Sequence, residues 1–155
     1  MTDLSRRSFL GGILAVGAAT TVVAAIPLDL TPRIWADGIH DDYAGLQAAL
    51  NGKPFVCEDS VIADTDSVII RYGTFRISAA LKLRDARINI GHCHFFGDKG
   101  VTTMVDGRGG KDCSIIHNSI FETHPETVWG IDDYIMIFDD HSSVRRPFNV
   151  FLGVR

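Results

Sequence analysis

After Pro54 the sequence breaks into short β-prone runs, and none of the stretches between them carries a convincing helical period. The clearest runs are residues 67–71, 74–77, 80–83, 87–90, 114–116 and 134–138. Several alternate polar and apolar side chains with period two, the pattern of a strand with one buried face. Glycines and aspartates separate them and supply turns. A doubly wound α/β domain needs helices between its strands, so this pattern argues against one. The expectation is an all-β fold.

The runs also repeat. Residues 69–75 can be laid over 89–96 and over 115–121 so that Phe75, Phe96 and Phe121 coincide, at offsets of 21 and 25 residues. Recurrence at such a period marks stacked structural units. The alignment predicts an internal ladder of Phe75, Phe96 and Phe121.

One segment ahead of these runs reads differently. Asp37-Gly38 is a turn pair, and Asp41 or Asp42 is a suitable helix N-cap. Tyr43, Leu46, Gln47, Ala49 and Leu50 follow at helical spacing, and Asn51-Gly52 ends the pattern. One amphipathic helix is expected at about 42–50. Asp37, Gly38, Asp41, Asp42, Leu46, Gln47 and Ala49 together resemble the opening signature of pectate-lyase-like β-helix proteins. That superfamily includes polysaccharide lyases, glycoside hydrolases and phage tailspikes. The resemblance implies a short right-handed parallel β-helix of about four to five coils, capped at its N-terminal end by the helix. It is a fold signature and names no catalytic residue. So few coils leave the far end in need of cover, which the apolar tail 147–155 or oligomerisation, with a trimer favoured, would supply.

The first 25 residues are a separate segment, leaving 26–155 as one domain. Arg6 and Arg7, within Ser-Arg-Arg-Ser-Phe-Leu, resemble a twin-arginine export signal, and the apolar run 9–26 follows. Val23-Ala24-Ala25 suits a signal peptidase, with cleavage expected after Ala25. The alternatives are a retained membrane anchor and a buried helix at an assembly interface. The net charge is −4 and the tight basic pairs are few, so a nucleic-acid partner is not expected. Cys57, Cys93 and Cys113 form no CxxC pair; they read as small buried hydrophobes, with at most one disulfide.

Chemistry-bearing residues are thinly spread. Asp106, Arg108, Lys111 and Asp112 share a Gly-rich stretch, read as a solvated turn or as weak catalytic candidates. The resemblance implies a basic residue for a lyase, often with calcium, or paired carboxylates for a hydrolase. His92 and His94 stand at strand spacing and would share a face with His117. Glu122, His124 and Glu126 read as a polar loop. Asp132, Asp133, Asp139 and Asp140 are candidate ligands for a hard cation such as Ca2+, the one cofactor considered. Trp129 and Tyr134 are candidate platforms for a sugar ring, with Trp129 the better placed beside Gly130; Trp35 is expected near the cap helix.

Three functions stay open. The leading expectation is a non-catalytic structural or glycan-binding module of a phage or prophage virion, tailspike- or fibre-like. The second is an exported polysaccharide lyase or glycoside hydrolase of the periplasm or cell surface. The third is an interaction protein tethered to a membrane through residues 9–26. Localisation follows the choice: virion, or exported if Arg6 and Arg7 are used.

Overall fold

A computed structural model describes residues 29–83, 87–108, 114–139 and 144–153. Arg6, Arg7 and the apolar run 9–26 lie outside the described residues. The elements in chain order are β1 (Asp37–Asp41), α1 (Tyr43–Leu50), β2 (Val61–Ala63), β3 (Ser67–Arg71), β4 (Thr74–Ile77), β5 (Leu81–Lys82) and β6 (Arg87–Gly91). They continue as β7 (His94–Gly97), β8 (Val105–Asp106), β9 (Ile115–His117), β10 (Ile120–Glu122), β11 (Met136–Ile137) and β12 (Val150–Leu152). The fold is β-rich, and α1 is the only helix among the described residues.

The strands form three sheets, ordered β1-β4-β7-β10-β12, β2-β3-β6-β9 and β11-β8-β5. All pairings are parallel except β2 with β3. From β3 to β11 the chain visits the four-, the five- and the three-stranded sheet in turn, three times over. The reason lies in the links. Parallel neighbours cannot be joined by a tight turn. The two residues between β3 and β4 therefore send the chain into another sheet, and each strand meets its partner about twenty residues later.

Inward positions carry the apolar half of each alternation. Val68 lies over Ile88, and Ile70, Ile90 and Ile116 stack in one row, all buried. Phe75, Phe95, Phe121 and Phe151 make a second row, with ring centroids 5.1, 5.0 and 5.9 Å apart. That spacing follows from the ~4.8 Å between strands, and it suits offset ring stacking.

The expected ladder is thus correct at Phe75 and Phe121 and wrong at Phe96. Phe95 is the buried rung, paired with Phe75 and Phe121, so the true offsets are 20 and 26 residues. A slip of one residue moves a side chain to the opposite face of a strand. Phe96 accordingly points outward and leans on His94, with centroids 4.0 Å apart.

The corner before the five-stranded sheet has its own ladder. Tyr72, His92, Asn118 and Phe148 each stand two residues ahead of a strand with positive φ. The next residue turns inward. The Ser119 hydroxyl accepts the Cys93 N–H (3.3 Å), and Asn149 Oδ1 accepts the Ser119 N–H (3.1 Å). Each of these turns thereby satisfies donors of the turn stacked beside it, which burial would otherwise leave unpaired. Cys93 is buried and free, and burial pushes its thiol up to about 11, so it behaves as a small hydrophobe. Cys57 is free and half-buried. Cys113 lies outside the described residues.

The helix closes one end of the core with Leu46, Ala49 and Leu50 buried. Gln47 pairs with the edge strand β5 as another strand would. Its Oε1 accepts the Lys82 N–H (2.8 Å) and its Nε2 donates to the Lys82 carbonyl (3.1 Å). An edge strand left bare is a template for unwanted pairing. Capping by Asp42 through its side chain does not occur. The Asp42 backbone is already helical, and Asp41 Oδ1 instead accepts the Tyr43 N–H (3.0 Å). Asp41 also takes the Ser78 hydroxyl at 2.6 Å, tying the helix entry to the end of β4.

Candidate functional site

Trp129 and Tyr134, singled out separately in the sequence, line one groove of about 480 Å³. Asp133, Ile135, Met136, Arg146 and Phe151 complete its walls. The groove sits beside the last rung of the phenylalanine ladder, because Phe151 both lines it and stacks on Phe121, and Phe151 is 45% exposed. The loop before β11 presents the two aromatic residues. Asp133 Oδ2 accepts the Gly130 N–H (2.5 Å), closing a tight turn between them. Tyr134 is 60% exposed, whereas Trp129 is half-buried against the core, so Tyr134 is the more open platform. This reverses the expected ranking. Trp129 must cover the core at this end, and it presents only part of its ring. Arg146 lies over the Phe138 ring at 4.3 Å, which holds a cation near the groove.

The Gly-rich stretch is not a plain solvated turn. Val105 and Asp106 form β8, and Asp106 is buried on the strand. Its carboxylate accepts three bonds from Arg108, Nε at 2.8 Å, Nη2 at 2.7 Å and the backbone N–H at 3.2 Å. The pairing keeps the guanidinium firmly charged and fixes its direction. Lys111 and Asp112 lie outside the described residues, so the structure assembles half of that expected cluster.

The histidines divide between two places. His92 is in the corner turn and stacks on Tyr72, with centroids 5.5 Å apart, while His117 meets it edge-on at 5.4 Å. His94 lies apart from them on β7, where its Nε2 is 3.0 Å from Glu122 Oε2. Strand spacing between His92 and His94 fails because a left-handed residue interrupts the pleat. Glu122 belongs to β10 and not to a loop. Beside this pair, Arg76 donates to Asp98 from Nε at 2.6 Å, so the outer face of the five-stranded sheet carries a His–carboxylate hydrogen bond and an Arg–Asp ion pair that sequence reasoning missed. Only the true strand register could have found them.

Asp132, Asp133 and Asp139 are described and Asp140 is not. Among the described residues no three His, Cys, Asp or Glu side chains are placed to hold a metal ion together. No helix among them is long and apolar enough to cross a membrane. Trp35 stays near the cap, stacked on His40 (4.5 Å) with the Arg33 guanidinium 4.6 Å away. No family model, curated protein or solved structure matches this chain.

Proposed function

We propose that this chain is a carbohydrate-binding and assembly module built as a short right-handed parallel β-helix. The fold part rests on the cyclic visiting order of the three sheets and on the stacked isoleucine and phenylalanine rows. Right-handed connection of parallel strands is the general rule. Within this reading the module belongs to a phage or prophage virion, tailspike- or fibre-like, and acts as a homo-oligomer, with a trimer favoured.

One observation carries the binding part: Trp129 and Tyr134 converge on a single groove with Arg146 at its rim. Aromatic faces take the C–H side of a sugar ring, and a few polar groups orient it. The arginine favours an acidic sugar, since guanidinium and carboxylate pair well. Affinity electrophoresis of the full chain through polygalacturonate and alginate tests this. Retardation is expected for the wild type and not for Trp129→Ala or Tyr134→Ala. Equal mobility of all three would end the proposal.

A second reading, an exported polysaccharide lyase or hydrolase, has one observation in its favour. His94–Glu122 and Arg76–Asp98 lie side by side on an open sheet face, and a His–carboxylate pair is suited to proton transfer. Release of unsaturated or reducing sugar ends, lost in His94→Gln, would support it.

A further inference from the structure

Tyr72, His92, Asn118 and Phe148 hold φ at 55°, 56°, 48° and 59°. In this left-handed region Cβ crowds the following carbonyl, and glycine or asparagine is the natural occupant. Asn118 fits that preference and His92 is tolerated, but Tyr72 and Phe148 are not expected there. Burial does not offset the strain, because Tyr72 is 74% and Phe148 82% exposed. Strained, exposed aromatic residues at a repeated corner point to a surface that uses them.

The rings around Tyr72 are held in place. Tyr72 stacks on His92 at an interplanar angle of 18°, and His92 meets His117 at 84°. His117 is seated over Gly91, where an added Cβ would lie 2.5 Å from its Nε2. Asn89 Oδ1 (3.2 Å) and Asn118 Nδ2 (3.0 Å) hold its two ring nitrogens. Beyond Tyr72 opens a cleft of about 500 Å³, lined by Glu58, Asp59, Ser60, Ile62, Arg71 and Tyr72. The Arg71 guanidinium stands 5.9 Å from the Tyr72 ring. Flat rings thus adjoin carboxylates that accept from hydroxyls and a guanidinium that donates to ring or hydroxyl oxygens. Two carboxylates in the cleft disfavour an anionic polymer.

The geometry points to this corner as a binding site for a neutral polysaccharide, with Tyr72 as the platform and Glu58, Asp59 and Arg71 orienting the hydroxyls. The assignment rests on the carbohydrate-binding reading above but uses a different site and an uncharged ligand. Calorimetry on the full chain tests it, with cellohexaose, chitohexaose and maltohexaose as neutral probes and hexagalacturonate as the acidic one. Tyr72→Asn is expected to weaken binding of at least one neutral probe roughly tenfold, the scale of one lost ring contact. Its thermal midpoint should stay or rise, because asparagine accepts the left-handed turn. Hexagalacturonate binding should persist in Tyr72→Asn and be lost in Trp129→Ala. If no neutral probe binds, or Tyr72→Asn binds them all like the wild type, the corner site is wrong whatever hexagalacturonate does. If neutral probes bind through Tyr72 while hexagalacturonate does not bind at all, the Trp129 groove is wrong and the corner stands.

Discussion

Asp42 is fully buried, and only one of its carboxylate oxygens is bonded. Oδ1 accepts the Trp35 N–H (2.5 Å) and the Ala36 N–H (3.3 Å), while Oδ2 has no partner. Burial pushes this carboxyl above its ordinary 3.8, outweighing those N–H bonds, because desolvation penalises the charged form. A group whose folded value is raised adds stability below its unfolded value and loses it as pH rises through the folded one. Asp42→Asn keeps the Oδ1 acceptor and removes the charge. It should be more stable than the wild type near neutrality, and that advantage should shrink as pH falls toward 3.8 and the wild-type carboxyl takes up its proton. Urea midpoints of both proteins across that window check this; parallel curves would show that the carboxyl stays charged at no cost. Asp37 is the opposite case. The Ile39 N–H, then the His40 N–H and ring, hold it down to about 2. Its stabilising share is present above 3.8 and is lost as pH falls through about 2. Asp37→Asn should therefore narrow the gap to the wild type at acid pH and widen it near neutrality, by the same urea measurement.

At the scale of elements, the register of β7 decides which phenylalanine matters. Phe95 is fully buried between Phe75 and Phe121, so Phe95→Ala should cost about 3–5 kcal/mol by cavity formation. Phe96 lies outside on His94, and Phe96→Ala should cost about 0.5 kcal/mol, as surface changes do. Denaturant unfolding of the two variants distinguishes the registers, and the reverse order would restore Phe96 as the rung. The cap makes a similar test. Gln47→Ala removes both bonds to Lys82 and leaves the β5 edge without its partner, at about 1–3 kcal/mol. Glutamate there could accept from the Lys82 N–H but could not donate to its carbonyl, so Gln47→Glu should recover only part of the loss.

The whole molecule is unlike at its two ends. At one, α1 covers the core and Gln47 pairs with an edge strand. At the other, β12 pairs on one side with β10, and Val150, Phe151 and Leu152 are all exposed. A parallel edge with apolar side chains invites association. Light scattering of the full chain should give an oligomer, and Val150→Lys should shift it to the monomer mass with the thermal midpoint kept. An identical mass for both proteins would place association elsewhere or nowhere.

Local patterning determined a good deal here. Alternation set the strands β3, β4 and β6, and spacing set the helix, observed at Tyr43–Leu50 against the expected 42–50. Each residue of the opening signature proves to have a bonding or packing task, from the Asp37 turn to the Gln47 bridge. The strands and the helix are encoded within a few neighbours, where propensity and hydrophobic period act, but the bridge reaches Lys82, 35 residues on. β8 has two residues, too few for a period to register, and β1 was hidden because its Asp-Gly reads as a turn, whereas β11 falls within the expected run 134–138. The choice of Phe95 over Phe96 and the seating of Phe151 beside the Trp129–Tyr134 loop depend on something else. Each is settled by which residues lie opposite one another after a full circuit of twenty to thirty residues, and only the packed core, by burying one face and not the other, fixes that register.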